Sequence, residues 1–405
     1  MEKKAGPNNQ REEILAWCKA LSKEKMLKLP FQKPVFEGIE NKFLLVQATC
    51  YQLAKKKLPG IWEQGKWIFP DKTAAEQCSP EWIARLRPSI LPKKFETWID
   101  ATAGLGIDAL FASSVASNGL SFETEPERAK CLIDNFLEYS ISNFKVEEKS
   151  ILNFLEENPN FLNPSVLVYA DPDRRPEKEE KRMFSWKDSS PNLEELYQRV
   201  RLQKAALLVK LSPMEDLDQV LQTFPMASCS WVTSIQNEVK EVLVYWSPEW
   251  KEWAHKRFAL DIRNPDDFQM VELPSETKPV SESKPEPGHF ILDPLAAIRK
   301  GFQSFGWAEK QGFSCLSQKG QLFQSPEFLP DFPGRVFEIE AVFSELKPAL
   351  AHSGNKPLQV VARSYPEKAE DLQKKIGGKG SEKHFLFAFQ TTDGKKKFIL
   401  ASRIR

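Results

Sequence analysis

The sequence predicts an α/β protein built round a Rossmann-like, mostly parallel sheet, with a helical segment before it and smaller α+β pieces after it. Three observations carry this. From Phe95 to about Trp246, short apolar runs alternate with helical patterns. Within that stretch Trp98-Ile99 runs into DATAGLGID (residues 100–108), an acid at a strand end, a small-residue turn and two glycines opening an apolar helix. Beyond it, residues 331–405 read strand, strand, helix, strand, strand.

Residues 1–92 read as a helical N-terminal domain. Ile14, Leu15, Trp17, Cys18 and Leu21 recur at helical spacing, and residues 43–53 repeat the pattern before Lys55-Lys56-Lys57. Leu58-Pro59-Gly60 stops that helix. Trp62, Trp67, Phe69-Pro70 and Trp82 mark an aromatic connector, expected to pack against the next domain. The core spans 93–274, with strands expected at 97–99, 119–122, 166–170, 206–211, 231–235 and 242–246. Ala129, Leu132, Ile133 and Phe136 form one helical face, and the close spacing of the last two strands predicts an antiparallel hairpin at the sheet edge. Residues 255–273 predict a β-ribbon turning at Asn264-Pro265-Asp266-Asp267. Residues 275–288, rich in Pro, Ser, Glu and Lys, read as an exposed linker. Two small domains follow, 289–330 with a helix at 295–305, and 331–405 with strands at 336–343, 358–362, 385–389 and 397–401 and a helix at 367–376.

Composition narrows the function classes. Hydrophobic residues make up 41% and charged residues 28%, the balance of a soluble globular chain. The net charge of +1 conceals basic ends: residues 1–60 carry twelve Lys or Arg against six acids, and 351–405 carry twelve against five. Such ends suit an anionic partner or serve solubility alone. Six scattered cysteines form no CxxC pair, so neither a zinc site nor a disulfide framework is indicated. The polar N-terminus is no signal peptide, and no apolar run approaches the roughly 20 residues of a membrane span, so a cytoplasmic location is expected.

Gly104-Leu-Gly106-Ile-Asp-Ala109 satisfies G-x-G-x-x-G/A, and an acid, Glu123, follows the next strand. That pattern fits NAD as well as S-adenosylmethionine. Asp100 favours the methyl donor: an acid at the strand end suits a methionine ammonium and repels a pyrophosphate. Asp171-Pro172-Asp173-Arg174-Arg175 after the run VLVYA points the same way. Asp171 and the rigid Pro172 backbone can orient a nitrogen nucleophile and accept its developing charge. Glu123 is placed for ribose hydroxyls, with Thr102 and Ser150 as further candidate cofactor contacts. Arg174 and Arg175 either clamp a substrate phosphate or pair with Glu177, Glu179 and Glu180. Lys210, ending the fifth strand, either meets substrate or shields the strand end, and Asp108 is expected to cap the following helix.

These residues belong to a wider pattern. KKKLPGIW (55–62), IFPDKTAAEQCSPEWIA (68–84), DATAGLGID, FETEPERAKCLIDNF (122–136), DPDRR, KLSPM, NEVKE (237–241), DPLAAIRKGF (293–302) and FPGRVFEI (332–339) run nearly end to end. With them the chain resembles a bacterial group of class I S-adenosylmethionine-dependent methyltransferases carrying a small ferredoxin-like domain and a C-terminal THUMP-like domain. The resemblance implies that Asp100, Gly104, Gly106 and Glu123 contact cofactor, that Asp171 and Pro172 line the methyl-transfer site, and that the C-terminal module associates with RNA. There are departures. The third methyltransferase motif usually offers an acid to the adenine amino group, where Glu147-Glu148-Lys149-Ser150 leaves Ser150 or Glu148. No Pro-aromatic pair follows Asp171-Pro172 to stack a base. The expected function is methylation of a structured RNA such as tRNA or rRNA. The rivals are a small-molecule or protein methyltransferase, and an inactive RNA-binding protein.

Overall fold

The computed structural model describes residues 7–174, 188–249, 256–274, 283–301, 304–317, 321–354, 356–391 and 393–404. The chain folds as two compact units, Met1–Leu211 with Val244–Lys251, and Ser212–Leu243 with Glu252–Arg405.

The first unit opens with helices. α1 (Pro7–Ala20) and α3 (Asn41–Lys57) share a core of Ile14, Cys18, Leu44 and Ala48, with α2 (Lys23–Lys28) between them. Pro59 sits in the first turn of α4 (Pro59–Gln64), so Leu58-Pro59-Gly60 ends one helix and starts another. α5 (Lys72–Gln77) is capped by Asp71, and α6 (Glu81–Ile90) follows. Between α4 and α5 the connector runs as a strap held by buried polar side chains. Gln47 accepts from Phe69 N and donates to Phe69 O, and Tyr51 donates to Trp67 O.

The sheet of this unit is laid down in alternation. Its elements are β1 (Thr97–Asp100), α7 (Ile107–Ala112), β2 (Asn118–Phe122), α8 (Pro126–Glu138), β3 (Phe144–Glu147) and α9 (Ile151–Glu157), then β4 (Val166–Ala170), β5 (Asp173–Arg174), β6 (Ser189–Ser190), α10 (Leu193–Leu202) and β7 (Ala206–Leu211). The spatial order is β3-β2-β1-β4-β7, every neighbouring pair parallel. The chain proceeds outward from β1 on one side and then returns to add β4 and β7 on the other. That reversal opens a crevice at the strands' carboxyl ends. β3 was not among the expected strands, because Phe-Lys-Val-Glu is short and half-polar, as an edge strand can be. On α8, Ile133 is exposed while Cys131 and Asn135 are buried, because Asn135 bonds the strap through Ile68 N and Ile68 O, both at 2.8 Å.

The second unit begins with α11 (Leu217–Thr223), β8 (Cys229–Ile235), β9 (Glu238–Trp246, whose last three residues belong to the first unit), β10 (Lys256–Asn264) and β11 (Asp267–Leu273). Gln236 and Asn237 join β8 to β9 with φ of 49° and 67°, the two-residue turn that suits a twisted hairpin. This hairpin is not at an edge: β10 pairs in parallel with β8, and the expected ribbon carries β11 antiparallel beyond it.

A separate seven-stranded sheet follows. It comprises β12 (Phe290–Pro294), α12 (Ala296–Lys300), α13 (Ser304–Lys310), β13 (Ser314–Cys315), β14 (Phe323–Ser325) and β15 (Gly334–Phe343), then α14 (Leu346–Ser353), β16 (Gln359–Arg363), α15 (Ala369–Ile376), β17 (His384–Gln390) and β18 (Lys396–Arg403). Its order is β13-β14-β12-β15-β18-β17-β16, so strands from both sides of residue 330 share one sheet. The single helix expected at 295–305 is two helices, α12 ending at Gly301. α14, unforeseen because Pro348 interrupts a short pattern, covers one face with α15 over Leu386, Phe398 and Leu400. The opposite face buries Phe337, Phe385, Phe387 and Ile399. The described end of the expected linker is tied in: Ser283 N donates to Cys315 O and Gly288 N to Ile339 O. No helix among the described residues is long and apolar enough to cross a membrane.

Two glycines should separate by cost. Gly106 has φ +80° and a Cβ there would meet Leu132 Cδ1 at 2.1 Å, whereas Gly104, at φ +50°, has nothing nearer than Thr102 O at 3.9 Å. Gly106→Ala should destabilise the protein by roughly 2–4 kcal/mol, overpacking added to the left-handed backbone. Gly104→Ala should cost about 1 kcal/mol. Denaturant titration reads both, and equal costs would mean that Leu132 yields without strain.

Candidate active site

A cleft of about 270 Å³ opens at the carboxyl ends of β1, β2 and β4. Its floor is the turn after β1. Asp100 is 1% exposed and its Oδ1 accepts the Thr102 N–H at 3.1 Å. Thr102 Oγ1 in turn accepts the Asp171 N–H at 2.7 Å, joining this turn to the end of β4. Ala103 N donates to Phe122 O at 2.9 Å and pins the same turn to the end of β2. Three strand ends are thus stitched together by backbone and short polar side chains.

Around that floor stand the wall residues. Gly104 leaves open space where a side chain would project. Glu123, 8% exposed, takes the Glu125 N–H on Oε1 at 2.9 Å and keeps Oε2 without a protein donor among the described residues. Ser150 caps α9, accepting Asn153 N at 3.2 Å. Asp171 follows β4, and Lys210 Nζ of the neighbouring strand β7 lies 2.5 Å from its Oδ2.

The structure therefore brings Thr102, Gly104, Gly106, Glu123, Ser150 and Asp171 round one cleft. Asp100 lies beneath its wall, and Lys210 reaches it only through Asp171. Pro172 is half-buried beside Asp171 and is not among the lining residues. The backbone of Arg174 pairs with Ser189, while Arg175, with Glu177, Glu179 and Glu180, lies outside the described residues. Glu148 is exposed and does not line the cleft.

Asp108 has a different role from the expected cap. Gly106 occupies the cap position with no side-chain bond, and Asp108 forms an ion pair with the buried Arg87. Asp108 Oδ2 also accepts from Ser79 Oγ at 2.8 Å and Tyr169 OH at 3.3 Å. The cleft wall includes residues that sequence reasoning assigned to packing or left unremarked. Asp71 caps α5 through Ala74 N and bonds Arg128 Nε at 2.8 Å, placing Arg128, Cys78 and Ser79 on the wall. The signal was Asp71 ahead of a helical run, but its partner lies 57 residues away.

Electrostatics divide the acids from the thiol. Burial pushes the Asp100 carboxyl up to about 7, against the Thr102 N–H bond that lowers it. Burial also raises the Cys78 thiol, more than Lys57 and Lys210 lower it, which disfavours the thiolate there. Among the described residues no group of three or more His, Cys, Asp or Glu is placed to hold a metal ion. The cleft offers carboxylates, hydroxyls and uncovered backbone, a lining that favours a cationic, hydroxyl-rich ligand over an anionic one.

The fold has a full-length counterpart. A crystal structure from Porphyromonas gingivalis W83, classed provisionally as a methyltransferase, superposes with a TM-score of 0.79 at 21% identity, covering 98% of this chain and 99% of that one. An rRNA methylase from Streptococcus thermophilus (14% identity, 41% of this chain, 92% of that one) and a provisional methyltransferase from Streptococcus mutans in complex with SAH (15%, 42% and 98%) reach a TM-score of only 0.29 and bear no weight. No curated protein matches the chain significantly. The chain therefore shares the fold of the Porphyromonas gingivalis structure, a mixed α/β architecture with one large, parallel-rich sheet and a second sheet. At its C-terminus, residues 334–403 match the family model described as THUMP domain-like, so the chain carries a THUMP-like domain.

Asp100 makes folding pH-dependent in a defined direction. Its folded pKa of about 7 lies above the ordinary carboxylate value of 3.8, so the folded form holds the proton longer. Stability contributed by this group is therefore greatest below pH 4 and declines until about pH 7. Asp100→Asn should match the wild type near pH 4 and exceed it by roughly 2–4 kcal/mol at pH 8. Denaturation midpoints at both pH values test this, and a difference independent of pH would show that Asp100 does not titrate there.

Proposed function

We propose that this chain transfers a methyl group from S-adenosylmethionine to a nucleotide of a structured RNA such as tRNA or rRNA. The observation that carries the reading is one cleft in which the Gly104 backbone, Glu123 and Asp171 meet. The residues fit the cofactor. Glu123 Oε2 has no protein donor among the described residues and suits a ribose diol. Gly104 leaves its part of the wall unfilled, and Asp100 under the turn favours an ammonium. The volume lies near the lower end of small-molecule sites, roughly 300–1,000 Å³. Ser150 stands on the adenine side by analogy with the third motif.

When bound, S-adenosylmethionine supplies an already activated methyl electrophile. The protein's share is alignment. Asp171, with the Pro172 carbonyl, accepts the N–H of the attacking nitrogen and stabilises the positive charge developing on it. Lys210 fixes the Asp171 carboxylate in orientation through their ion pair, a positioning role. Arg174 and Arg175 remain candidates for a substrate phosphate.

The RNA part of the reading is supported by the THUMP-like domain and its exposed lysines. Lys374, Lys375 and Lys395 pair with Asp371, Glu367 and Asp393, whereas Lys379 and Lys383 have no such partner among the described residues. Removing residues 331–405 would split the second sheet, so charge substitution is the cleaner test.

Glu123→Ala should weaken binding of the demethylated cofactor by roughly 1–3 kcal/mol in calorimetry. Asp171→Ala should leave that affinity nearly unchanged while turnover on RNA falls about a hundredfold or more. Surviving turnover would make Asp171 a turn residue. For Lys379→Gln with Lys383→Gln, the slope of log RNA affinity on log salt should shrink by roughly one to two. An unchanged slope and affinity in filter binding would remove these lysines from RNA contact.

A further inference from the structure

Two segments singled out in the sequence, DPLAAIRKGF and FPGRVFEI, converge on a single carboxylate. Asp293 of β12 is 1% exposed. Arg299 of α12 gives Nη1 to Oδ1 at 3.1 Å, and Arg363, ending β16, gives Nε to Oδ1 at 2.9 Å and Nη2 to Oδ2 at 3.0 Å. Arg335, opposite Asp293 in the β12–β15 register, gives Nε and Nη2 to Oδ2 at 3.1 and 2.5 Å. Gly334 permits this approach, since a Cβ there would lie 2.3 Å from Asp293 O. β16 stands four strands from β12, a flat separation of roughly 19 Å, so the sheet curls to bring Arg363 in.

One carboxylate and three guanidiniums leave two positive charges without an acidic partner among the described residues. Burial and the neighbouring Arg363 and Arg335 depress Arg299 to about 10, with Asp293 as its one opposing acid. Pinning the curled sheet needs only the Asp293–Arg363 fork. Further guanidiniums add repulsion and desolvation, which a bound anion would offset. The donors are arranged for it. Arg299 is fixed by Pro294 O and Arg363 by Ala362 O. Arg335 Nη1 and Arg299 Nε and Nη2 have no protein acceptor among the described residues. The three side chains retain 14%, 27% and 17% exposure for Arg299, Arg335 and Arg363, so solvent reaches each.

We propose that Arg299, Arg335 and Arg363, held round Asp293, form a phosphate-binding site. A free phosphate dianion balances both surplus charges and a phosphodiester monoanion one of them, and either matches the planar forks of arginine. The phosphate is either a phosphodiester of the RNA or a free phosphate ion. The site stands independently of the methyl-transfer reading.

The test uses the full chain without cofactor. Sodium phosphate is titrated against sodium chloride at matched ionic strength, read by calorimetry and by the thermal midpoint. The wild type should bind one phosphate saturably, and Arg335→Gln, which leaves the Asp293–Arg363 fork, should weaken that binding about tenfold or more. A structured RNA that displaces the phosphate, and binds Arg335→Gln more weakly, identifies the phosphodiester as its source. RNA binding alike to both proteins with phosphate retained identifies the free ion. Phosphate acting on the wild type no differently from chloride overturns the proposal, even if the variant fails to fold, as does equal phosphate affinity in a folded Arg335→Gln. Cofactor affinity and the Asp171→Ala turnover are read separately, so the two ideas fail separately.

Discussion

At Gly106 the chain turns with a positive φ while Leu132 of α8 stands where a side chain would begin. The whole cleft is organised by that approach. With α8 lying close, the turn after β1 is pressed down onto the sheet, where Ala103 bonds Phe122 and Thr102 bonds Asp171. Side chains from three strand ends then face one volume, with Asp100 buried beneath. The cost of that buried acid is visible in its raised pKa. A cationic ligand above it would offset the cost, so binding and the strain of the free state are coupled.

The helical N-terminal segment takes part in the site itself. Its strap is fixed in register by Gln47, Tyr51 and Asn135, polar side chains that satisfy backbone groups which would otherwise be buried unpaired. Register matters because the strap delivers Asp71, which caps α5 and holds Arg128 at the cleft wall. On the next helix, α6, Arg87 pairs with Asp108 and lies 4.8 Å from the centre of the Tyr169 ring. A buried ion pair of this kind adds little net stability, but removing one partner leaves an unpaired charge, so it fixes the arrangement.

In the second unit the same physics has an opposite sign. Asp100 is an acid short of cations, and Asp293 is an acid with more than it needs. Burial alone would raise the Asp293 carboxyl, yet Arg363, Arg299 and Arg335 hold it well below the usual range. The curl of the second sheet is what makes this possible, because it brings the end of an edge strand back to β12.

The local chemistry of the chain was determined by sequence alone. The alternation of buried runs and amphipathic helices dictated a parallel sheet, and positive φ at Gly104 and Gly106 demanded glycine. The placing of Thr102, Glu123 and Asp171 at strand ends followed, since each stands where a strand pattern stops, whereas the strand before Ser150 came only with the structure. Tertiary structure decided everything that depended on a distant partner. Asp108 looked like a cap until Arg87 claimed it, and Lys210 faced two roles until Asp171 lay beside it. Ile133 belonged to the apolar face by periodicity, but Asn135 was turned inward by the unpaired backbone of the strap. The basic surplus of the C-terminus was visible as a count, whereas three arginines on one buried aspartate could not be. Periodicity and turn chemistry act over a few residues, but charge pairing acts across space, between residues as many as 156 positions apart along the chain.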